Sequence, residues 1–200
     1  MVSGSWHGSV DQLLFDLDQK KTDKIRYLSN GLTNDTKKKI ILVPYNDFYK
    51  TKKIIEKFKS KIALVILEPI QQAVPSKYNE KYIKQIYKLC KTKNILICFD
   101  EIITGIRVNN FSIQNKLNLK PDLSTFGKII GGGLPIGAIG VNKKIENKLK
   151  NKNKKVFFGG TFSANPFVCE IGYQNLSFIY KNRKNIYSKL EYLSKYFENK

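Results

Sequence analysis

From residue 40 onward, apolar and polar positions fall into blocks whose period switches between that of a buried strand and that of a helix. "IILV" (40–43) is a short apolar run, and residues 46–59 then mix polar and apolar positions in a helical pattern. Asn46 or Asp47 suits the cap of that helix, because a side-chain oxygen can accept from an unpaired first-turn amide. "IALVILE" (62–68) is a continuous β-branched run of the kind buried on both faces of a sheet. Residues 79–93 set Ile83, Ile86, Tyr87 and Cys90 on one helical stripe with lysines opposite, and "ILICFD" (95–100) is a second buried strand. The series predicts an α/β fold with right-handed crossovers in a mostly parallel sheet flanked by helices. After 155, "VFFGGTFSANP" leads into a helix capped by Asn165, with Pro166 at the first helical position, where its missing N–H costs nothing. Val168, Ile171 and Ile179 form its stripe, and Ile186, Leu190, Leu193 and Phe197 define a further helix. No internal repeat is present.

Two predicted strands end in a carboxylate, Glu68 and Asp100. In open α/β sheets ligands bind beyond the carboxyl ends of the strands, so an acid there is placed for chemistry. A loop carboxylate bound to a neighbouring amide or lysine is the plainer alternative.

Composition narrows the functional classes. Two hundred residues suffice for one good-sized domain or part of a larger one, and 42% hydrophobic content marks a globular chain. The net charge of +20 invites a nucleic-acid reading, but only Arg26, Arg107 and Arg183 are arginine. The excess is lysine scattered among asparagine and isoleucine, without the arginine forks that read phosphates and base edges. No nucleic-acid partner is therefore expected, and the densest run, "KKIENKLKNKNKK" (143–155), reads as a solvated helix or loop. The longest uncharged stretch is too short and too broken by Gly and Pro to span a bilayer, and no secretory signal is read at Met1-Val-Ser-Gly. Cys90, Cys98 and Cys169 are far apart with no CxxC, and His7 is the only histidine. Zinc binding and cysteine–histidine catalysis find no support, and isolated buried thiols suit a reducing cytoplasm.

The lysine that stands apart is Lys128, in "TFGKIIGGGLPIGAIG" (125–140), with no other charge from Leu123 to Val141. A phosphate-binding P-loop fails, because it would need Gly at Asp122 and Ser or Thr at Ile129. No register of Gly131 to Gly140 supplies the glycines of a dinucleotide fingerprint. What remains is lysine as a nucleophilic amine, with glycines that let a flat ligand or another chain approach the backbone. A pyridoxal phosphate site would add a carboxylate against the pyridine nitrogen, an aromatic face for the ring and donors for the phosphate.

Here the chain resembles a family: the class III pyridoxal-phosphate aminotransferases of fold type I, and within them the glutamate-1-semialdehyde aminomutase branch. The resemblance runs through "SGSWHG" (3–8), "VPYND" (43–47), "ILEP" (66–69), "FDEIITGIRV" (99–108), "PDLSTFGKIIGGGLPIGAIG" (121–140) and "GGTFSANP" (159–166), with Lys128 placed 28 positions after Asp100. It implies that Lys128 forms the Schiff base with pyridoxal 5'-phosphate and shuttles a proton, and that Asp100 pairs with the pyridinium nitrogen. It further implies Ile102 against one ring face and Trp6 over the other, where the family usually has tyrosine, with His7 beside that stack. Gly160 and Thr161 would hold the cofactor phosphate of a partner subunit, giving a homodimer with a shared site acting on a small amino or keto substrate. Departures from the aminomutase pattern are Gln72, where an asparagine reaches the cofactor region, Ala164 for glycine and Ile106 for phenylalanine. A transaminase for another keto acid or a keto sugar fits about as well, and a non-catalytic chain retaining the fold is the rival from another class. The family is longer than this chain at both ends. The resemblance therefore implies a fold type I large domain incomplete at both ends, with 1–182 its central part and 183–200 a helix leading toward a missing small domain.

Overall fold

A small antiparallel pair, β1 (Phe15–Leu17) and β2 (Ile25–Tyr27), is followed by the short helix α1 (Asn34–Lys38) and by α2 (Phe48–Phe58). The chain then alternates through β3 (Leu64–Leu67), α3 (Glu80–Thr92), β4 (Leu96–Asp100), α4 (Ile113–Lys116) and β5 (Leu123–Gly127). Strand β6 (Gly137–Val141) and helices α5 (Lys143–Leu149), α6 (Pro166–Lys181) and α7 (Arg183–Glu198) complete the order. This is a computed structural model, and it describes residues 1–18, 24–109, 111–150 and 156–199. The last five residues of the lysine-rich run, 151–155, thus lie outside the described residues, while α5 takes up its first part without a buried side chain.

The main sheet has the order β3-β4-β5-β6. Strands β3 and β4 are parallel, as their buried apolar runs predict; β5, which no such run announced, joins them in parallel, whereas β6 returns antiparallel to β5 with Gly127 opposite Gly137. The sequence reading did not anticipate β6. Its glycines and its largely exposed Ile139 give it neither a buried run nor a strong alternation. "IILV" differs too. Leu42 and Val43 are buried, but the segment forms only a parallel bridge from Val43 to Val2. Val2 in turn donates to Ile66 O at 3.2 Å, so residues 1–3 lie between this segment and β3. Pro44, which has no N–H, and the left-handed Asn46 (φ 63°) end any longer ladder.

The core fills one face of this sheet. Ile83, Ile86 and Cys90 of α3 are fully buried and cluster with Ile55 of α2 and with Val65, Leu67, Ile97 and Phe99. Burying each such side chain contributes roughly 1.5–3 kcal/mol. Local signals set the ends of these helices: Asp47 caps α2 by accepting from Lys50 N–H at 2.8 Å, and Asn79 caps α3 by accepting from Tyr82 N–H at 3.0 Å. Asp122 ties three elements together. Its carboxylate accepts from Lys91 Nζ and Asn142 Nδ2, both at 2.7 Å, and from Ile97 N–H at 3.0 Å. Burial pushes the Cys90 and Cys98 thiols up to about 12, so both behave as small apolar side chains.

Helix α6 begins at Pro166 with Asn165 accepting from Val168 N–H at 3.2 Å, as the sequence predicts. Just before it, Ala164 takes a left-handed conformation (φ 53°), which disfavours any side chain. Ala164→Gly is therefore expected to stabilise the fold by about 1 kcal/mol, read as a higher midpoint of urea unfolding. In α7 the predicted stripe is helical, and Tyr187 is buried, but Leu190, Leu193 and Phe197 are exposed. No helix among the described residues is long and apolar enough to cross a membrane.

Candidate active site

Parallel strands deliver their carboxyl ends to one edge of a sheet, and here two of them deliver opposite charges. Asp100 is the last residue of β4, paired with Thr125 of the adjacent β5, and Lys128 follows the last residue of β5. At a rise of about 3.3 Å per residue, Lys128 lies roughly 10 Å beyond the position level with Asp100. The Lys128 side chain is exposed, while Asp100 is buried.

Lys128 opens a single 3-10 turn, Lys128–Gly131, from a left-handed backbone (φ 50°). That conformation costs a non-glycine residue about 1–2 kcal/mol, so surrounding contacts must hold it. Helix α6 supplies them. Asn175 Nδ2 donates to Ile129 O at 2.6 Å, and Ile130 is buried. A Cβ on Gly172 would sit 2.8 Å from Ile130 O, and one on Gly132 would sit 3.1 Å from Asn175 Cβ. The glycines after Lys128 had been read as room for a ligand or another chain. Gly131 and Gly132 instead admit Ile136 and α6, and of these three consecutive glycines Gly133 alone faces open space. Gly172→Ala is expected to destabilise the protein by about 1–3 kcal/mol. Because the clash is with backbone, trypsin should also cut more readily after Lys128.

Asp100 is held on every side. Its Oδ1 accepts from Ile102 N–H at 3.1 Å and from Thr125 Oγ1 at 3.0 Å, and its Oδ2 lies 2.6 Å from His7 Nδ1. Burial alone would raise this carboxyl, but these bonds outweigh it and hold it below the usual carboxylate range. A carboxylate has about four acceptor positions, so one, on Oδ2, is left over.

The segment carrying Trp6 and His7 is fastened across the strand ends. Gln71 Nε2 donates to Ser3 O at 2.7 Å and Ser5 Oγ at 3.1 Å, and Asp16 Oδ1 accepts from Gly4 N–H at 3.0 Å. Glu68, at the end of β3, accepts from Trp6 N–H at 3.1 Å. Its burial pushes this carboxyl up, against the pull of the Trp6 amide and the nearby His7. Glu68 thus works as a backbone anchor. The Trp6 side chain remains 44% exposed, available as a flat cover.

Of the residues singled out from sequence, Trp6, His7, Asp100, Ile102 and Lys128 gather around the ends of β3, β4 and β5. Ile102 packs beside Gly127, its Cγ2 3.4 Å from where a Cβ there would lie. Gly160 and Thr161 sit elsewhere, in an exposed turn ahead of α6 that Ser163 N–H closes onto Gly160 O at 2.9 Å. Gln72 is exposed, and it is the neighbouring Gln71 that is buried. Sequence reasoning missed Thr125, which the hydroxyl bond to Asp100 brings into the site. It also missed Glu101, which is fully buried and accepts from Thr104 Oγ1 at 2.5 Å, Ile113 N–H at 3.0 Å and Gln114 N–H at 2.8 Å. Glu101 thereby caps α4 and fixes the loop that follows Ile102.

The site has relatives. The chain is 40% identical over 198 residues to the glutamate-1-semialdehyde 2,1-aminomutase of Thermosipho melanesiensis, covering 98% of this chain and 46% of that protein. It is 37% identical over 182 residues to the enzyme of the same name from Archaeoglobus fulgidus, covering 90% of this chain and 43% of that one. The chain thus spans just under half the length of these curated relatives. Its fold matches that of an omega-transaminase from Sphaerobacter thermophilus with a TM-score of 0.80 at 24% identity, over 89% of this chain and 42% of that one. A structure described as a transaminase with PLP bound matches with a TM-score of 0.79 at 19% identity, again over 89% of this chain and 42% of that one. The family description for aminotransferase class-III matches residues 1–200. With a carboxylate and a lysine at neighbouring strand ends of that fold, this chain belongs to the class III aminotransferases.

Proposed function

We propose that the chain forms the central cofactor-binding part of a pyridoxal-phosphate-dependent aminomutase or aminotransferase. The observation that carries this reading is the placement of Asp100 and Lys128 at the ends of adjacent parallel strands, with one carboxylate lone pair still unspent. The residues fit the cofactor. A flat ring between Ile102 and Trp6 would turn its nitrogen to Asp100 and its aldehyde to Lys128. When bound, pyridoxal phosphate serves as an electron sink for the substrate's α-carbon. The protein's own part is to hold and move protons. Asp100, kept ionised by its three donors, favours a protonated ring nitrogen. Lys128 Nζ would hold the cofactor's aldehyde end and would be the amine that moves a proton at the substrate carbon.

The aminomutase likeness favours glutamate-1-semialdehyde as substrate. Gln72, Ala164 and Ile106 depart from that branch and favour the second reading, a transaminase for another keto compound. Gly160 and Thr161 would serve the phosphate of a second copy, their exposure leaving them free to cross to a partner in a homodimer. Three unpaired cysteines, two of them buried, suit the cytoplasm. The test is direct. Incubation with pyridoxal phosphate followed by borohydride should fix one pyridoxyl group on the chain, and peptide mapping should find it on Lys128. Labelling spread over many surface lysines would reject the reading.

A further inference from the structure

A second concavity, of about 520 Å³, is walled by the β1–β2 hairpin, the Ser3–Gly4 segment and the loop that starts at Gln71. None of Trp6, His7, Asp100, Ile102 or Lys128 lines it. Its charged lining is balanced, with Asp16 and Asp18 against Arg26 and Lys77. Asp16 and Arg26 stand directly opposite each other in the hairpin, a register in which opposite charges ordinarily pair. Here no ion pair joins them. Three donors instead turn the carboxylate toward residues 3–4: its Oδ1 accepts from Ser3 Oγ at 2.5 Å, Leu17 N–H at 2.8 Å and Gly4 N–H at 3.0 Å. Oδ2 receives no donor among the described residues, so its lone pairs are unspent.

Gln71 repeats the pattern. It is 1% exposed, and its Nε2 is committed to Ser3 O and Ser5 Oγ, which fixes the direction of the amide. Its Oε1 takes no described donor and lies against Gly4, where a Cβ would come within 2.9 Å of it. Two anchored acceptors, Asp16 Oδ2 and Gln71 Oε1, thus border Gly4 with nothing donating to them. An acceptor left open in a buried side chain is satisfied by a ligand's N–H. Arg26 and Lys77, both exposed, have no carboxylate partner among the described residues.

We propose that this cleft binds a small zwitterion of the α-amino acid class. The ammonium group donates to Asp16 Oδ2 and Gln71 Oε1, and the carboxylate meets Arg26 and Lys77. A simple anion would meet Asp16, and a simple cation would meet Arg26, so the lining selects both charges on one molecule. The assignment stands on the cleft alone and does not depend on the cofactor reading.

Glycine is the smallest probe. Its binding to the full chain, read by saturation transfer from protein to the glycine methylene protons, is expected to saturate on titration. Acetate and methylammonium should compete at least about 10-fold more weakly than glycine itself, since each lacks one charged hydrogen-bonding group. Asp16→Asn keeps an oxygen for Ser3, Gly4 and Leu17 but places an amide N–H where Oδ2 was. It should weaken glycine about 10-fold or more. Arg26→Gln, at an exposed position of β2, should weaken it to a similar degree, and Lys128→Ala should bind glycine as the parent does. Unchanged binding in Arg26→Gln or in a folded Asp16→Asn protein would overturn the proposal. So would loss of binding in Lys128→Ala, which would move the ligand to the strand-end site. Acetate competing as well as glycine would reduce the cleft to an anion site, and a parent chain that passes no saturation to glycine would remove the site altogether.

Discussion

Replacing Lys128 by alanine is expected to abolish borohydride-fixed pyridoxyl labelling and to lower amino-group transfer at least about 10³-fold, within the range lost with a positioned acid–base group. The reasons are separable. The amine at 128 is both the covalent tether and the base, so two functions vanish with one side chain. The backbone, however, is unaffected: alanine at φ 50° is no more strained than lysine, and the α6 contacts involve Ile129, Ile130 and Gly132 rather than the lysine side chain. Thermal unfolding of Lys128→Ala without cofactor should therefore match that of the parent. Activity measured on the cofactor-loaded protein, beside this stability control, distinguishes a lost reagent from a lost fold.

The second large effect is expected for Asp100→Asn. The amide preserves shape, and its oxygen can still accept from Ile102 N–H and Thr125 Oγ1. Its nitrogen, however, confronts His7 Nδ1, so His7 must move its hydrogen to Nε2, which is buried without an acceptor. Two consequences follow. Stability without cofactor should fall by about 1–3 kcal/mol, the cost of an unpaired buried donor. Turnover should fall about 10²–10³-fold, the scale of losing one preorganised charge at the reacting group. Urea unfolding reads the first and steady-state kinetics the second. Unchanged turnover in a folded Asp100→Asn protein would remove Asp100 from the mechanism.

What could be read from residues alone follows a physical divide. The helices α2, α3 and α6 and the strands β3 and β4 were readable because buried periodicity and caps such as Asp47, Asn79 and Asn165 act within a few residues. Lys128 and Asp100 were readable because one stands alone among uncharged residues and the other ends a buried strand. Strands β1 and β2 were not anticipated, since three residues apiece carry too little pattern. Gln72 was read from its place after Glu68-Pro69, and that its neighbour Gln71 is the buried one was not legible, because in a turn neither a two- nor a 3.6-residue period applies. The exposed stripe of α7 shows the remaining limit: amphipathic spacing tells which side chains share a face, not what covers that face.

Apart from the bonds to Asp16, every fastening of the Trp6–His7 segment reaches far along the chain. Trp6 is tied to a residue 62 positions away and His7 to one 93 positions away. Contacts of such separation repay loop-closure entropy only after the intervening strands have paired. The strand-end carboxylate can therefore acquire its histidine only once β3 and β4 stand side by side. That buried pairing is therefore a late contact as the polypeptide folds.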